Sequence, residues 1–90
     1  MTKFRKKPVE VEAVRIAEVI NNARHGWKHV PVWVRSAYEA GYLVIRPGAV
    51  DVRTLEGTMT GYPDDWLILG VEYEMYPCSN SVFQKTYEPA

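Results

Sequence analysis

Residues 42–60 read YLVIRPGAVDVRTLEGTMT, and this stretch decides the fold. It holds three short segments of strand character, at residues 42–46, 50–55 and 58–60, separated by two turn signals. Pro47-Gly48 suits the centre of a type II turn, because Pro fixes a negative φ and Gly accepts a positive one. Glu56-Gly57 is a weaker signal for a two-residue turn. The stretch therefore predicts short antiparallel strands joined by tight turns.

The region that follows continues the same pattern. Residues 66–71 are predicted as a further strand, and residues 83–87 as a last extended segment. The turn signals around them are residues 62–65, which read YPDD, and Pro77. Short strands at this spacing favour a small, bent antiparallel β-sheet or a partial barrel.

The region before the stretch begins with a strand. Residues 9–13 alternate between apolar and charged side chains, which is the period of a half-buried strand. The alternation slips at Val14 and continues on the other face at Ile16. A β-bulge near Ala13 or Val14 would accommodate that slip.

Two short helices are predicted between this strand and the stretch. Residues 17–24 carry apolar side chains at helical spacing and stop at Gly26. The second helix is expected to begin at Pro31, which suits a first turn, and to end at Gly41, a good left-handed cap. The sequence thus predicts an α+β fold in which two short helices pack on one face of the sheet.

Length and composition indicate one globular domain, residues 1–90. Ninety residues, 47% of them apolar, suffice for one packed core, and no linker or repeat divides the chain. No apolar run approaches the ~20 residues that span a bilayer, and no secretory signal follows the basic start. A single cysteine forms no internal disulfide, which agrees with a reducing compartment. We expect a soluble protein of the cytoplasm.

The charge is balanced overall but divided unevenly. Residues 1–46 hold nine Lys and Arg against four Glu, a net charge of +5, whereas residues 47–90 hold two against seven acids, a net charge of −5. Such asymmetry indicates either a basic binding face beside an acidic one, or complementary halves that pack together or pair head to tail between subunits. Both interpretations stay open from the sequence.

The chain carries no recognisable catalytic or cofactor motif. Cys78 lacks a paired base in sequence, and His25 and His29 are two potential metal ligands where zinc sites require three or four. The adjacent acids Asp64 and Asp65 point apart in most turns, which disfavours a two-carboxylate device. The sequence predicts a non-enzyme with no metal and no cofactor.

Both ends of the chain resemble a family of small proteins encoded by tailed bacteriophages and prophages. That family opens near F-R-K-K-P-V-x-x-E-A and closes near P-G-D-W/Y-I-I-x-G-V-x-G-E-x-Y-P-C-x-P-x-x-F-x-x-T-Y-E. Residues 3–15 and 54–88 follow this pattern, which includes FRKKPV at the start and YPC and TYE at the end. The resemblance implies a phage or prophage origin and carries over no catalytic residue.

Three positions depart from the family pattern. Asp64 and Tyr73 stand where the family has Gly, and Asn80 stands where it has Pro. Because Gly allows backbone conformations that other residues rarely adopt, the turns at Asp64 and Tyr73 are expected to differ in shape from those of the family.

Three binding functions remain. The basic start, Lys3, Arg5, Lys6 and Lys7, with Phe4 for stacking, could contact nucleic acid, or its lysines could merely protect a strand edge. Capture of a nucleotide-like ligand would use flat aromatic surfaces and arginines. Direct inhibition of a protein would use exposed aromatics.

Aromatic side chains favour the second and third functions. Eleven aromatics exceed what one core of this size comfortably buries, so some are expected at a pocket or in a homo-oligomer interface. The sequence is interpreted as a host-defence antagonist that sequesters a small nucleotide-like immune signal, with inhibition of a host protein as the alternative. The candidate ligand-binding residues are Trp33, Arg35, Arg46, Arg53, Trp66, Tyr73 and Tyr76.

Overall fold

The computed structural model describes residues 1–5 and 7–90, so the expected contact of Lys6 with nucleic acid lies outside the described residues. The fold is α+β, as the sequence predicts. The described residues form two three-stranded antiparallel sheets and three helices, where two helices were expected. The strands are β1 (Glu12–Arg15), β2 (Leu43–Arg46), β3 (Ala49–Thr54), β4 (Gly57–Gly61), β5 (Trp66–Leu69) and β6 (Met75–Cys78). The helices are α1 (Ile16–Ala23), α2 (Val32–Glu39) and α3 (Asn80–Thr86).

The sheet β2–β3–β4, here called the open sheet, is the meander that residues 42–60 predict. Arg46 pairs with Ala49 across the first turn, and Gly48 has a φ of +74°, as position i+2 of a type II turn requires. In the second hairpin Thr54 pairs with Gly57. The turn residues are therefore 55 and 56, one position earlier than predicted.

The sheet β1–β5–β6, here called the covered sheet, has β5 at its centre. Glu12 to Arg15 pair one to one with Leu69 to Trp66, so the predicted bulge is wrong, and so is the early start at residue 9. Because β5 ends at Leu69, opposite Glu12, no strand among the described residues pairs with residues 9–11. Ile16 opens α1 instead of extending β1.

Pro77 lies inside β6, opposite Leu67, so the turn predicted there is also wrong. The reason is that β6 is an edge strand. Pro has no backbone N–H to donate, and an edge strand tolerates this because only one of its sides pairs with another strand.

The last predicted extended segment is a helix. Ser79 is the N-cap of α3, and its hydroxyl accepts a hydrogen bond from the backbone N–H of Val82 at 3.3 Å. This cap satisfies one of the helix's unpaired donors. Phe83 and Tyr87, one helical turn apart, then lie in contact with each other, with ring centroids 5.2 Å apart.

The two predicted helices are present, displaced by about one residue. α1 is followed by a turn in which Gly26 has a φ of +79°, and α2 has Pro31 as its N-cap. Gly41 ends α2 with a φ of +85°. The longest of the described helices has eight residues, too few to cross a membrane.

The core lies between the helices α1 and α2 and the inner faces of both sheets. Its fully or almost fully buried members are Ile16 and Val19 of α1, Val34 and Ala37 of α2, Leu43, Val50 and Val52 of the open sheet, and Leu67 and Met75 of the covered sheet. At the junction of the sheets, a Cβ on Gly61 would lie 2.9 Å from Ile16 Cδ1 and 3.3 Å from Pro77 Cβ. The absence of a side chain at Gly61 thus allows β4, β6 and α1 to meet.

Candidate functional site

The outer face of the covered sheet carries a second buried layer. Side chains alternate along β5, so Trp66 and Ile68 point away from the core that contains Leu67. Ile68 is nevertheless 0% exposed. Trp66 stacks on Phe83 of α3, with centroids 4.1 Å apart and planes at 10°, so α3 lies over this outer face.

Four aromatic side chains lie in contact across this face, three through their rings and Tyr76 through its hydroxyl. Phe83 packs against Tyr87, and the hydroxyls of Tyr87 and Tyr76 lie 3.2 Å apart. The indole N–H of Trp66 donates to Asn80 Oδ1 at 3.0 Å, which fixes the orientation of the ring. We call Trp66, Phe83, Tyr87 and Tyr76 the aromatic stack.

The aromatic stack borders an open cleft of about 940 Å³. Its walls are the segment that precedes β1, the 70–74 turn between β5 and β6, and the chain from α3 onward. The lining residues are Lys7, Pro8, Val9, Glu10, Val11, Ala13, Trp66, Gly70, Val71, Glu74, Tyr76, Phe83, Gln84, Thr86, Tyr87, Glu88, Pro89 and Ala90. Apolar and aromatic side chains predominate among them, which suits a binding site.

The charge of the cleft is negative. Its described lining residues include three carboxylates, those of Glu10, Glu74 and Glu88, and one ammonium, that of Lys7. Glu74 also closes the 70–74 turn, since its Oε2 accepts from the backbone N–H of Glu72 at 2.9 Å. A Cβ on Gly70 would overlap the Glu74 carboxylate, so a side chain at that position would displace the carboxylate from the turn.

Tyr76 stays neutral over a wide pH range. Burial, followed by the hydrogen bond with Tyr87, raises the pKa of the Tyr76 hydroxyl well above its ordinary value of 10.0. The cleft therefore contains the neutral hydroxyl of Tyr76 together with the carboxylates of Glu10, Glu74 and Glu88.

Arg15 lies over the indole of Trp66, with its Cζ 4.5 Å from the ring centroid. Its Nη1 donates to the backbone carbonyl of Asp64 at 3.3 Å, which holds the guanidinium in place. Trp66 is thus in contact with both Phe83 and Arg15, which together cover much of its ring surface.

Arg46 and Arg53, predicted for the same site, lie on the open sheet instead. Arg46 donates through Nε and Nη2 to the two carboxylate oxygens of Asp51, both at 2.9 Å, and Thr60 adds a hydrogen bond to Asp51 at 2.8 Å. The hydrogen bond with Asp51 raises the pKa of Arg46, and the bonds from Arg46 and then Thr60 lower the pKa of Asp51. Arg53 lies over Tyr42, with its Cζ 5.9 Å from the ring centroid.

Trp33, Arg35 and Tyr73 are placed on further surfaces. Trp33 packs against the core, and its buried Nε1 has no hydrogen-bond partner among the described residues. Arg35 pairs with Glu39 along α2 at 3.3 Å. Tyr73 is 84% exposed in the 70–74 turn, with a φ of +62°.

Of the seven predicted residues, Trp66 and Tyr76 are the two that line the cleft. Sequence patterns do not place Phe83, Tyr87 and Asn80 in the site, because residues 83–87 are predicted as extended. A signal for them does exist, since Ser79 is a good N-cap and aromatics four residues apart share a helix face.

The candidate nucleophile and metal ligands have local hydrogen-bond partners. Cys78 Sγ donates to the carbonyl of Ser79 at 3.5 Å, and His25 Nδ1 lies 2.9 Å from the carbonyl oxygen of Asn21. The backbone N–H of His29 donates to the side chain of the buried Asn22. Within the described part of the chain, no three His, Cys, Asp or Glu side chains are grouped to hold a metal ion.

The basic start of the chain, residues 1–5, precedes in sequence the segment that lines the cleft, not a strand. We call these residues the arm; they have no regular secondary structure, and Phe4 is 92% exposed. Since β1 begins only at Glu12, Lys3, Arg5 and Lys7 do not flank a strand directly.

Comparison with protein-family models, with curated proteins and with solved structures gave no match. The interpretation of the cleft therefore depends on its own geometry and charge.

Proposed function

We propose that the protein is a non-enzymatic accessory protein of a phage or prophage that antagonises host defence by binding a segment of a host protein in the cleft. It acts in the host cytoplasm. The observation that carries the proposal is an aromatic stack bordered by three carboxylates and one ammonium. A binder of this kind works by stoichiometry and needs no nucleophile.

The chemistry of the cleft specifies the bound segment. Glu10, Glu74 and Glu88 favour Lys or Arg side chains, whereas the rings of Phe83 and Tyr87 favour an aromatic or aliphatic side chain. An open groove between chain segments suits an extended peptide. The proposed ligand is therefore an extended, cationic segment with at least one aromatic residue.

This order reverses the expectation from sequence, in which a nucleotide-like signal came first. Phosphate groups would meet net negative charge in the cleft, and juxtaposed like charges oppose binding. Stacking of a base on Trp66 would compete with Phe83 and Arg15.

Sequestration of a nucleotide-like signal is the second candidate, and one observation favours it. Two arginines lie over aromatic rings, Arg15 over Trp66 and Arg53 over Tyr42. A guanidinium beside a flat ring is what a phosphate linked to a base requires.

Thermal unfolding against two probe panels separates the candidates. The first panel contains a synthetic peptide of alternating lysine and phenylalanine and its glutamate–phenylalanine counterpart. The second contains cyclic oligonucleotides and ADP-ribose derivatives. A ligand at 100 times its Kd stabilises by about 2.7 kcal/mol, which raises the midpoint by on the order of 10 °C in a domain of this size.

We expect this rise in the unfolding midpoint with the lysine–phenylalanine peptide alone. The double variant Glu10→Gln, Glu88→Gln should lose most of it, whereas Glu56→Gln, which removes an acid in the turn between β3 and β4, should keep it. A shift with a nucleotide would support the second candidate. No shift with either panel would overturn both.

A further inference from the structure

The cleft and the arm of one molecule have complementary chemistry. The cleft presents Glu10, Glu74 and Glu88 around an aromatic stack, and the arm carries Lys3, Phe4 and Arg5 in succession. The arm is thus an example of the cationic, aromatic segment that the cleft is suited to bind. We propose that the arm of a second copy of this chain occupies the cleft, so that two copies exchange arms and close each other's binding sites.

The exposure of the arm supports an exchange between copies. Phe4 is 92% exposed, so the arm does not lie in the cleft of its own chain. The radius of gyration is 13.6 Å, above the about 12 Å expected for a compact domain of this length, and the longest dimension is 48 Å. Phe4 is an apolar side chain between two cations, and removing its surface from water in the partner's cleft would stabilise the dimer.

The point from which the arm leaves the domain supports a twofold arrangement. Lys7, two positions after the end of the arm, lines the cleft, so each arm lies close in sequence to the wall of its own cleft. Two clefts that face each other across a twofold axis place each arm at the mouth of the partner's cleft. Five extended residues span at most about 18 Å, which is sufficient for this short passage. The interface is isologous, and it closes without forming a filament.

The division of charge along the chain agrees with this exchange. The arm belongs to the basic half of the sequence, whereas Glu74 and Glu88 belong to the acidic half. The sequence leaves open whether basic and acidic regions pair between subunits. In the proposed dimer this pairing joins the arm of one copy to the cleft of the other. The proposed homo-oligomer is a dimer that masks the proposed binding site, and a target segment must displace the arm. The inference concerns the same cleft as the proposed function and rests on its chemistry.

Sedimentation equilibrium tests the exchange on the full chain. The wild type should form dimers that weaken as salt is raised, because rim charges are screened. The variant Lys3→Glu, Arg5→Glu should dimerise about tenfold more weakly, the effect of losing two exposed ion pairs. Phe4→Ala should weaken the dimer as well. The matched control Arg24→Glu, Lys28→Glu reverses two exposed cations outside the arm and cleft and should dimerise as the wild type does.

A charge swap gives the decisive result. Adding Glu10→Lys and Glu88→Lys to the Lys3→Glu, Arg5→Glu variant should restore the dimer, since the same pairs form with signs exchanged. A monomeric wild type at low salt, a dimer insensitive to the arm variants, or a swap that restores nothing would each overturn the inference.

Failure of this inference is separate from failure of the proposed function. If the lysine–phenylalanine peptide stabilises a monomeric wild type, the cleft binds cationic segments but not the arm. If dimers form by arm exchange and the peptide cannot displace them, the cleft serves assembly, and the proposed target binding is wrong.

Discussion

The two sheets differ in what lies against their outer faces. β5 of the covered sheet reads Trp-Leu-Ile-Leu, without polar residues, and is buried on both sides. β3 of the open sheet alternates as Val50, Asp51, Val52 and Arg53, with Val50 and Val52 in the core. The comparison shows that a strand without alternation indicates a second covering layer, here α3 and the chain around it. The cleft is formed by that layer.

The largest expected difference between the sheets is in the cost of truncating an outer-face side chain. Ile68→Ala should lower the free energy of unfolding by about 2–5 kcal/mol, because Ile68 is 0% exposed. Val44→Ala, at a 53% exposed outer-face position of the open sheet, should cost at most about 1 kcal/mol. Urea unfolding measures both.

If Ile68→Ala does not fold, Ile68→Val, with an expected cost of about 0.5–1.5 kcal/mol, gives the same comparison. Equal effects of the Ile68 and Val44 variants would show that α3 does not cover the sheet.

A smaller effect is expected from removing the contact that holds α3 on the sheet. Phe83→Ala should cost about 1–3 kcal/mol, from lost burial and the lost stack with Trp66. Val82, the preceding residue of the same helix, is 52% exposed, and Val82→Ala should stay within about 0.5 kcal/mol. Hydrogen exchange at Ile68 should accelerate in the Phe83 variant, and unchanged exchange would contradict the covering role of α3.

The pH dependence of stability should report the Tyr76–Tyr87 pair. Since the folded state raises the pKa of Tyr76 above 10.0, stability from this group is complete below pH 10 and declines as the pH rises further. Tyr76→Phe should reduce the decline in Tm above pH 10, whereas Tyr73→Phe, at an exposed position, should keep it. An identical decline in both variants would contradict the assignment.

The smallest effect is expected on the open sheet. Hydrogen bonds from Arg46 and then Thr60 lower the pKa of Asp51 below its ordinary 3.8, so the stabilisation is present above that pH and is lost at lower pH. Arg46→Gln should raise the titration midpoint of the Asp51 carboxyl carbon, measured by NMR. An unchanged midpoint would show that the Arg46 pair does not form in solution.

The parts of the fold that the sequence predicted depend on local chemistry. The Pro47-Gly48 turn, the Pro31 start of α2 and its end at Gly41 each follow from the φ that one residue prefers. The misassigned parts depend on partners distant in sequence. Residues 9–11 lack a strand because β5 is short, and Pro77 is tolerated because β6 is an edge.

The same reason applies to the candidate site. Trp66 and Tyr76 are predicted for the site as aromatics near strand ends, and both line the cleft. Phe83 and Tyr87 join them because α3 folds back over the covered sheet, a contact that local patterns do not show. Arg46 is predicted for the site as an arginine near a strand end, but its partner Asp51 is on the neighbouring strand, so its guanidinium is already bound.

The central claim, that binding occurs at the cleft of the covered sheet, is tested most directly by an NMR titration with the lysine–phenylalanine peptide. The three tryptophans give three indole N–H signals, each reporting a separate part of the molecule. We expect the signal of Trp66 and the amides of Gly70 and Gln84 to shift, while the signals of Trp27 and Trp33 stay in place. Shifts confined to Arg53 and Thr58 of the open sheet, or no shifts at all, would contradict the account.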